Sequence, residues 1–240
     1  MRPRTAMLLA AGLGTRMRPL TDRTAKPLLP LGGRALIDHA LDRLEEAGVE
    51  QVVVNAHWHA ARVEAHLASR VRPRVVVRRE PALLDTGGSV KAVLDLLGPA
   101  PFFVVNGDAL WVDGPQPALA RLAAAFSAET DGVLLVHRSF QVHADIGFGD
   151  FALNPEGGLR RRGEREVVPY VYAGVQLISP ALLEGMPAGA FSMNLAWDRA
   201  IAAGRLRAIV HDGLWFHLST PLDLTEAESV LAARLTGESR

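Results

Sequence analysis

Two glycines, Arg16 and Lys26 crowd one short stretch near the start of the chain. It reads Leu9-Ala10-Ala11-Gly12-Leu13-Gly14-Thr15-Arg16-Met17-Arg18-Pro19-Leu20-Thr21, then Lys26-Pro27-Leu28-Leu29-Pro30. An apolar run, Ala6–Ala10, leads into it and reads as a buried strand. Glycines after such a strand let backbone N–H groups turn inward and approach a chain of phosphates closely. Arg16 adds a planar fork suited to phosphate oxygens, and Lys26 adds a second positive charge beside a stiff proline. Lysine is scarce here, with Lys26 and Lys91 the only two, so compositional bias would have favoured arginine at position 26. A bare Gly-x-Gly reads best as a tight turn with incidental charge. The dinucleotide fingerprint needs a third glycine where Met17 stands, and the Gly-Lys-Ser/Thr of a P-loop is absent. The string from Leu9 to Pro30 is too long a coincidence for a turn alone.

Strands and helices must position these residues. Gln51–Asn55, Arg74–Arg78, Phe102–Val105 and Val133–Val136 read as further strands, near-continuous in apolar residues and so buried on both faces. Helical spacing predicts helices over Arg34–Ala47, His59–Ser69, Ser89–Leu97 and Ala118–Phe126. Strand and helix alternate over residues 1–137, which implies an α/β fold of three layers with a mixed, mostly parallel sheet. The rest changes character. Phe148–Leu153 and Val167–Ser179 read as antiparallel strands around a charged loop, Arg160–Glu166. Asn194–Ala203 reads as a helix and Leu206–Val210 as a strand. A last helix opens with Thr220 as its cap, Pro221 in its first turn and Asp223 at the third position, and the tail past about Leu235 is expected to fray. No linker interrupts the chain, so residues 1–240 read as a single domain. Residues 1–137 form its alternating half; residues 138–240 form the other half with the C-terminal helix.

Composition narrows the function. Twenty-six Lys and Arg balance twenty-six Asp and Glu, which speaks against a nucleic-acid partner. No cysteine means no disulfide, thiolate catalysis or Cys-based metal site. No apolar run is long enough to span a membrane, and the first residues are too short for a signal peptide, so a cytoplasmic protein is expected.

The stretch from Leu9 to Pro30 resembles the signature of the sugar-phosphate nucleotidyltransferases, L-A-A-G-x-G-T-R-M-x-P-L-T followed by K-P-L-x-P. Leu84-Asp85-Thr86-Gly87-Gly88, Asn106-Gly107-Asp108, Gly149-Asp150-Phe151 and Tyr172-Ala173-Gly174-Val175 extend the likeness, most closely to the N-acetylmuramate α-1-phosphate uridylyltransferases of cell-wall recycling. The resemblance implies an enzyme that joins a nucleoside triphosphate, most like UTP, to a sugar 1-phosphate and releases pyrophosphate. It implies Arg16, Lys26 and Asp108 as catalytic. It places nucleotide contacts at Ala10, Ala11, Gly12, Gly14, Thr15, Arg16, Lys26, Asp85, Thr86, Gly87, Gly88 and Asn106. It places sugar-phosphate contacts at Asn55, Gly149, Asp150, Gly174 and Asn194, and Mg²⁺, or Mn²⁺ or another divalent ion, on Asp108. Asn55, ending its strand, could equally cap the following helix. Other base and sugar pairs remain open, mannose 1-phosphate with GTP and glucose 1-phosphate with dTTP or UTP among them, as does a nucleotide-binding sensor without turnover. The protein is expected as a monomer or small homo-oligomer.

One departure matters. The family's second metal-binding Asp lies in W-x-D-x-G-T-P, and here the string is Trp215-Phe216-His217-Leu218-Ser219-Thr220-Pro221. Imidazole is a poor ligand for Mg²⁺ and a good one for softer metals. Asp108 could act with more water, Asp212 or Asp113 could substitute, or His217 could mark a softer metal or a binding-only relative. His57-Trp58-His59 reads as a simple loop rather than a ligand pair. Arg160, Arg161, Arg162 and Arg165 read as a solvated loop.

Overall fold

The computed structural model describes residues 1–142 and 147–235; the expected fraying past Leu235 lies outside them. The first half lays down β1 (Thr5–Leu9), a small hairpin of β2 (Pro30–Leu31) and β3 (Arg34–Ala35), α1 (Leu36–Glu46), β4 (Gln51–Ala56), α2 (Ala60–Leu67) and β5 (Arg74–Arg79). It continues through α3 (Asp85–Lys91), α4 (Leu94–Leu97), β6 (Phe102–Asn106), β7 (Leu110–Val112), α5 (Ala118–Ala125) and β8 (Gly132–Arg138). The second half holds β9 (Phe151–Leu153), β10 (Leu159–Arg161), β11 (Tyr170–Ile178), α6 (Met193–Ala202), β12 (Leu206–Val210), β13 (Leu214–Phe216) and α7 (Pro221–Leu235).

Strands β5, β4, β1 and β6 pair in that order, all parallel. Antiparallel β11 then packs between β6 and β8, and β12 pairs parallel with β8. The α/β three-layer fold with a mixed, mostly parallel sheet is therefore as expected. The difference lies at β8, which is separated from β6 by a strand from the second half. One sheet thus runs through both halves of the chain.

Alternation along the strands builds two cores. Ala6, Leu8, Val52, Val54, Phe103 and Val105 face α1, α2 and α5, whereas Met7, Val53, Phe102 and Val104 face α3 and α6. A third cluster joins Met17, Leu29 and Leu31 to Leu218 and Ala227, so α7 packs behind the segment carrying Arg16 and Lys26. The start of α7 is a reciprocal cap. Thr220 N–H donates to Asp223 Oδ2 at 2.7 Å and Asp223 N–H to Thr220 Oγ1 at 3.3 Å.

Several boundaries differ from expectation. The first helix opens at Leu36 because Arg34 and Ala35 pair with Pro30 and Leu31. The helix expected over Ser89–Leu97 begins at Asp85 and breaks at Ala92-Val93. Its early start is tertiary: the Phe191 carbonyl accepts from Gly87 and Gly88 N–H, at 2.9 and 3.0 Å, satisfying donors in the first turn. Leu159–Arg161 is a strand rather than loop, paired with β9. Among the described residues no helix is long and apolar enough to cross a membrane.

Two buried histidines lie between β8 and the β12–β13 turn. His211 Nε2 is shared by the carbonyls of Val112 and Leu214, so it carries the proton, and the His137 ring lies 6.1 Å away. Burial holds both imidazoles below the ordinary value of 6.5. The unfolded chain therefore takes up protons before the folded one as pH falls below 6.5, and stability drops across that range. Thermal unfolding is expected to show a falling midpoint from pH 7 to pH 5, and a His137→Gln variant should show a shallower fall.

Candidate active site

The carboxyl ends of β1, β4, β5 and β6 meet at one edge of the sheet, as ligand sites in such folds do. Asn55, near the end of β4 and 2% exposed, ties the ends of β1, β4 and β5 together. Its Oδ1 accepts from Ala10 N–H at 2.7 Å, and its Nδ2 donates to Glu80 Oε1 at 2.9 Å and Ser89 Oγ at 3.0 Å. Beyond Ala10 the backbone is free: among the described residues, the N–H groups of Ala11 to Gly14 donate to no protein acceptor. Gly14 has φ 62°, and a Cβ there would lie 2.9 Å from Thr21 Cγ2, so position 14 needs glycine on both counts. Thr21 Oγ1 donates back to the Gly14 carbonyl at 2.7 Å. Trp58 Nε1 donates to the Thr21 carbonyl at 2.9 Å and His59 Nε2 meets the Asp22 carbonyl at 3.2 Å. Trp58 and His59 thus clasp the signature segment, while His57 Nδ1 meets the Glu80 carbonyl at 2.8 Å.

A cavity of about 500 Å³ opens over this loop, with Gly12, Gly14, Lys26, Asn106 and Asp108 in its wall. Lys26 is mostly buried, and its Nζ donates to Asp108 Oδ2. The turn bearing Asp108 is fastened to β1: Gly107 N–H donates to the Leu9 carbonyl at 2.8 Å. Thr15 and Arg16 stand exposed beside Met17, which is fully buried. Glu80, unremarked in the sequence, is buried in the same wall with Oε2 unpartnered among the described residues. Its signal was a carboxylate ending a strand at the ligand edge.

A second cavity, of about 290 Å³, adjoins the first and shares Leu9, Asp85, Thr86 and Asn106 with it. Asp150, Tyr172, Asn194 and Trp197 line it. Asp150 Oδ2 accepts from Tyr172 N–H at 2.8 Å. Burial pushes the Tyr172 phenol far above its usual range, so it stays protonated. Asp85 has φ 58° and caps its own neighbour, Oδ1 accepting from Thr86 N–H at 2.6 Å. Arg161 also reaches this cavity, while Arg160 turns to solvent and pairs with Glu166 at 2.6 Å. The charged run is therefore only partly a solvated loop.

Several expected contacts prove to be supports. Asn55 lines the first cavity, and its amide is spent on Ala10, Glu80 and Ser89. Gly87 and Gly88 give their N–H groups to Phe191, and side chains there would overlap Phe191 and the Gly189 carbonyl. Gly149 makes room for the Val168 carbonyl. Gly174, φ 79°, sits at the bulge in β11, where a Cβ would press within 3.1 Å of Ala109 and 3.2 Å of Asn106. None of these four glycines lines either cavity.

The metal alternatives separate as well. Asp212 is paired with Arg121 at 2.8 Å, Asp113 Oδ1 caps α5 by accepting from Ala118 N–H at 2.9 Å, and neither lines the cavity that holds Asp108. His217 lines a different cavity, with Trp215 and Asp223. Burial lowers its imidazole, Asp223 and Asp108 oppose this, and Lys26 and Arg16 reinforce it. No cluster of three or more metal-ligating side chains forms among the described residues.

Over residues 6–211 the sequence matches the MobA-like NTP transferase domain. The chain belongs to that family. It is 42% identical to an N-acetylmuramate alpha-1-phosphate uridylyltransferase of Caulobacter vibrioides, over 96% of this chain and 98% of the relative. It is 34% identical to the enzyme of that name from Neisseria meningitidis, over 95% and 98%. Among solved structures, an inositol-1-phosphate CTP transferase from T. maritima superposes with a TM-score of 0.78 at 20% identity, covering 95% of this chain and 96% of that one. A UDP-glucose pyrophosphorylase complexed with UDP-glucose gives 0.76 at 18%, over 96% and 99%. These likenesses show the fold of the transferase.

Removing the Asn55 amide strands a buried donor at Ala10 and two groups beside it. Asn55→Ala is expected to lower stability by about 1–3 kcal/mol, read by urea unfolding, and to weaken nucleotide binding, read by calorimetry.

Proposed function

We propose that this transferase moves the uridylyl group of UTP onto N-acetylmuramic acid α-1-phosphate and releases pyrophosphate, in the recycling of cell-wall sugars. The observation that carries the reading is the Lys26–Asp108 pair in the wall of the larger cavity, beside a loop of free N–H groups. The high similarity to two uridylyltransferases of that name supports the choice of substrates.

Attack on a phosphoryl centre sets two anions against each other, so the protein's task is orientation and charge neutralisation. The loop from Ala11 to Gly14 holds the triphosphate. Arg16, at the mouth, meets the departing pyrophosphate, and Lys26 neutralises charge on the phosphorus under attack. The sugar phosphate is ionised at neutral pH and needs no general base. Glu80 Oε2 offers an acceptor to an N–H of the base, while Asp150 and Asn194 meet the sugar in the smaller cavity.

The donor set fits Mg²⁺. Such ions take one or two carboxylates, substrate phosphates and water, and Asp108 supplies the carboxylate; Mn²⁺ suits the same oxygen donors. When bound, the ion spreads the negative charge of the phosphates. The same reading keeps residues 1–137 for the nucleotide and 138–240 for the sugar phosphate. It places the protein in the cytoplasm as a monomer or small homo-oligomer, without nucleic-acid or membrane partners.

Pyrophosphate release over a panel of UTP, dTTP and GTP with N-acetylmuramate, glucose and mannose 1-phosphates tests the assignment. UTP with N-acetylmuramate 1-phosphate should be fastest. Preference for GTP and mannose 1-phosphate would overturn the substrates, and binding without turnover under any divalent ion would overturn the reaction. Lys26→Ala and Asp108→Ala should each lower kcat roughly 100- to 1,000-fold with unchanged circular dichroism.

A further inference from the structure

We infer that Arg161 is the residue that selects a sugar carrying a carboxylate. The inference rests on the proposed substrate: N-acetylmuramic acid differs from N-acetylglucosamine by a lactyl ether ending in a carboxylate, so its 1-phosphate has two anionic ends. The phosphate end belongs beside Lys26 and Asp108 in the larger cavity, whose wall Arg161 does not reach. The other end lies in the smaller cavity. Among the described residues lining that cavity, Arg161 is the one cation, and Asp85 and Asp150 are both acidic. A carboxylate entering there without a cation would lose its hydration next to like charge.

The guanidinium is built to receive one. It lies over the Phe151 ring at 4.8 Å and near the Trp197 ring at 5.6 Å, which sets its plane. Nε donates to Asp198 Oδ1 at 2.6 Å and Nη2 to Asn194 Oδ1 at 2.9 Å. Nη1 makes no bond to protein among the described residues. The fork is thus held at one side and open at the other, the geometry that accepts a carboxylate through two N–H groups. Strand pairing explains its position. Arg161 stands opposite Phe151 in the β9–β10 ladder, on the face of buried Leu159, and the alternate residue Arg160 faces away.

The test compares N-acetylmuramate 1-phosphate with N-acetylglucosamine 1-phosphate, the first through its KM and the second through its inhibition constant as a competitor. In Arg161→Gln the KM for the first should rise roughly 10- to 100-fold, as loss of a hydrogen-bonded charge contact implies, so that its advantage over the second collapses. Arg161→Lys, which keeps the charge without the fork, should recover part of that advantage. Asp198→Ala removes the exposed protein partner and should keep it. Equal weakening of both sugars in Arg161→Gln would assign Arg161 to the shared phosphate, and equal loss of preference in Asp198→Ala would assign it to the ion pair; either overturns the inference while the proposed reaction stands. Failure of the wild-type protein to turn over N-acetylmuramate 1-phosphate would instead overturn the reaction's substrate.

Discussion

The site depends on one buried carboxamide. Asn55 comes from β4, yet its three hydrogen bonds reach the residue that opens the glycine loop, the carboxylate that follows β5 and a hydroxyl of α3. An amide suits this place because it both accepts and donates without charge. In a dry setting each of those bonds is strong and each unmade one is expensive, so the ends of three strands are held in one arrangement. The loop can then leave its next four N–H groups free of protein partners without losing its shape.

Two further constraints act on the same loop from a distance in sequence. Trp58 and Thr21 close over Gly14 from one side. From the other, α7 covers Met17, Leu29 and Leu31, so nearly the last element of the chain backs the first functional one. Arg16 is exposed, but the residue after it is fully buried, which fixes where that arginine stands. The Asp108 turn is tied to β1 through Gly107 and leaned upon by the β11 bulge at Gly174. Asn106 therefore sits in the wall that the two cavities share.

Much of the fold was legible because its signals are local. Runs of valine and leucine mark doubly covered strands, and the Thr220–Asp223 pair marks the start of α7, since both depend on near neighbours. The glycines were not legible in the same way. Gly12 and Gly14 lie in the cavity wall, whereas Gly87, Gly88, Gly149 and Gly174 make room for Phe191, a carbonyl or a neighbouring turn. A missing Cβ serves each purpose equally, and only the packed neighbour says which. Asn55 was ambiguous for a related reason: its partners are 25 to 45 positions away.

The sequence by itself determined the alternation of strand and helix, the glycine loop followed by Arg16 and Lys26, and the Asn106-Gly107-Asp108 turn after a strand, because each is a property of adjacent residues. Tertiary structure alone decided that β11 enters between β6 and β8, that Asp113 and Asp212 are spent elsewhere, and that Arg160 and Arg161 face opposite ways. Those outcomes depend on strand register and on which distant backbone approaches closely. One residue of slip in β10 would exchange the two arginines while leaving every local pattern intact.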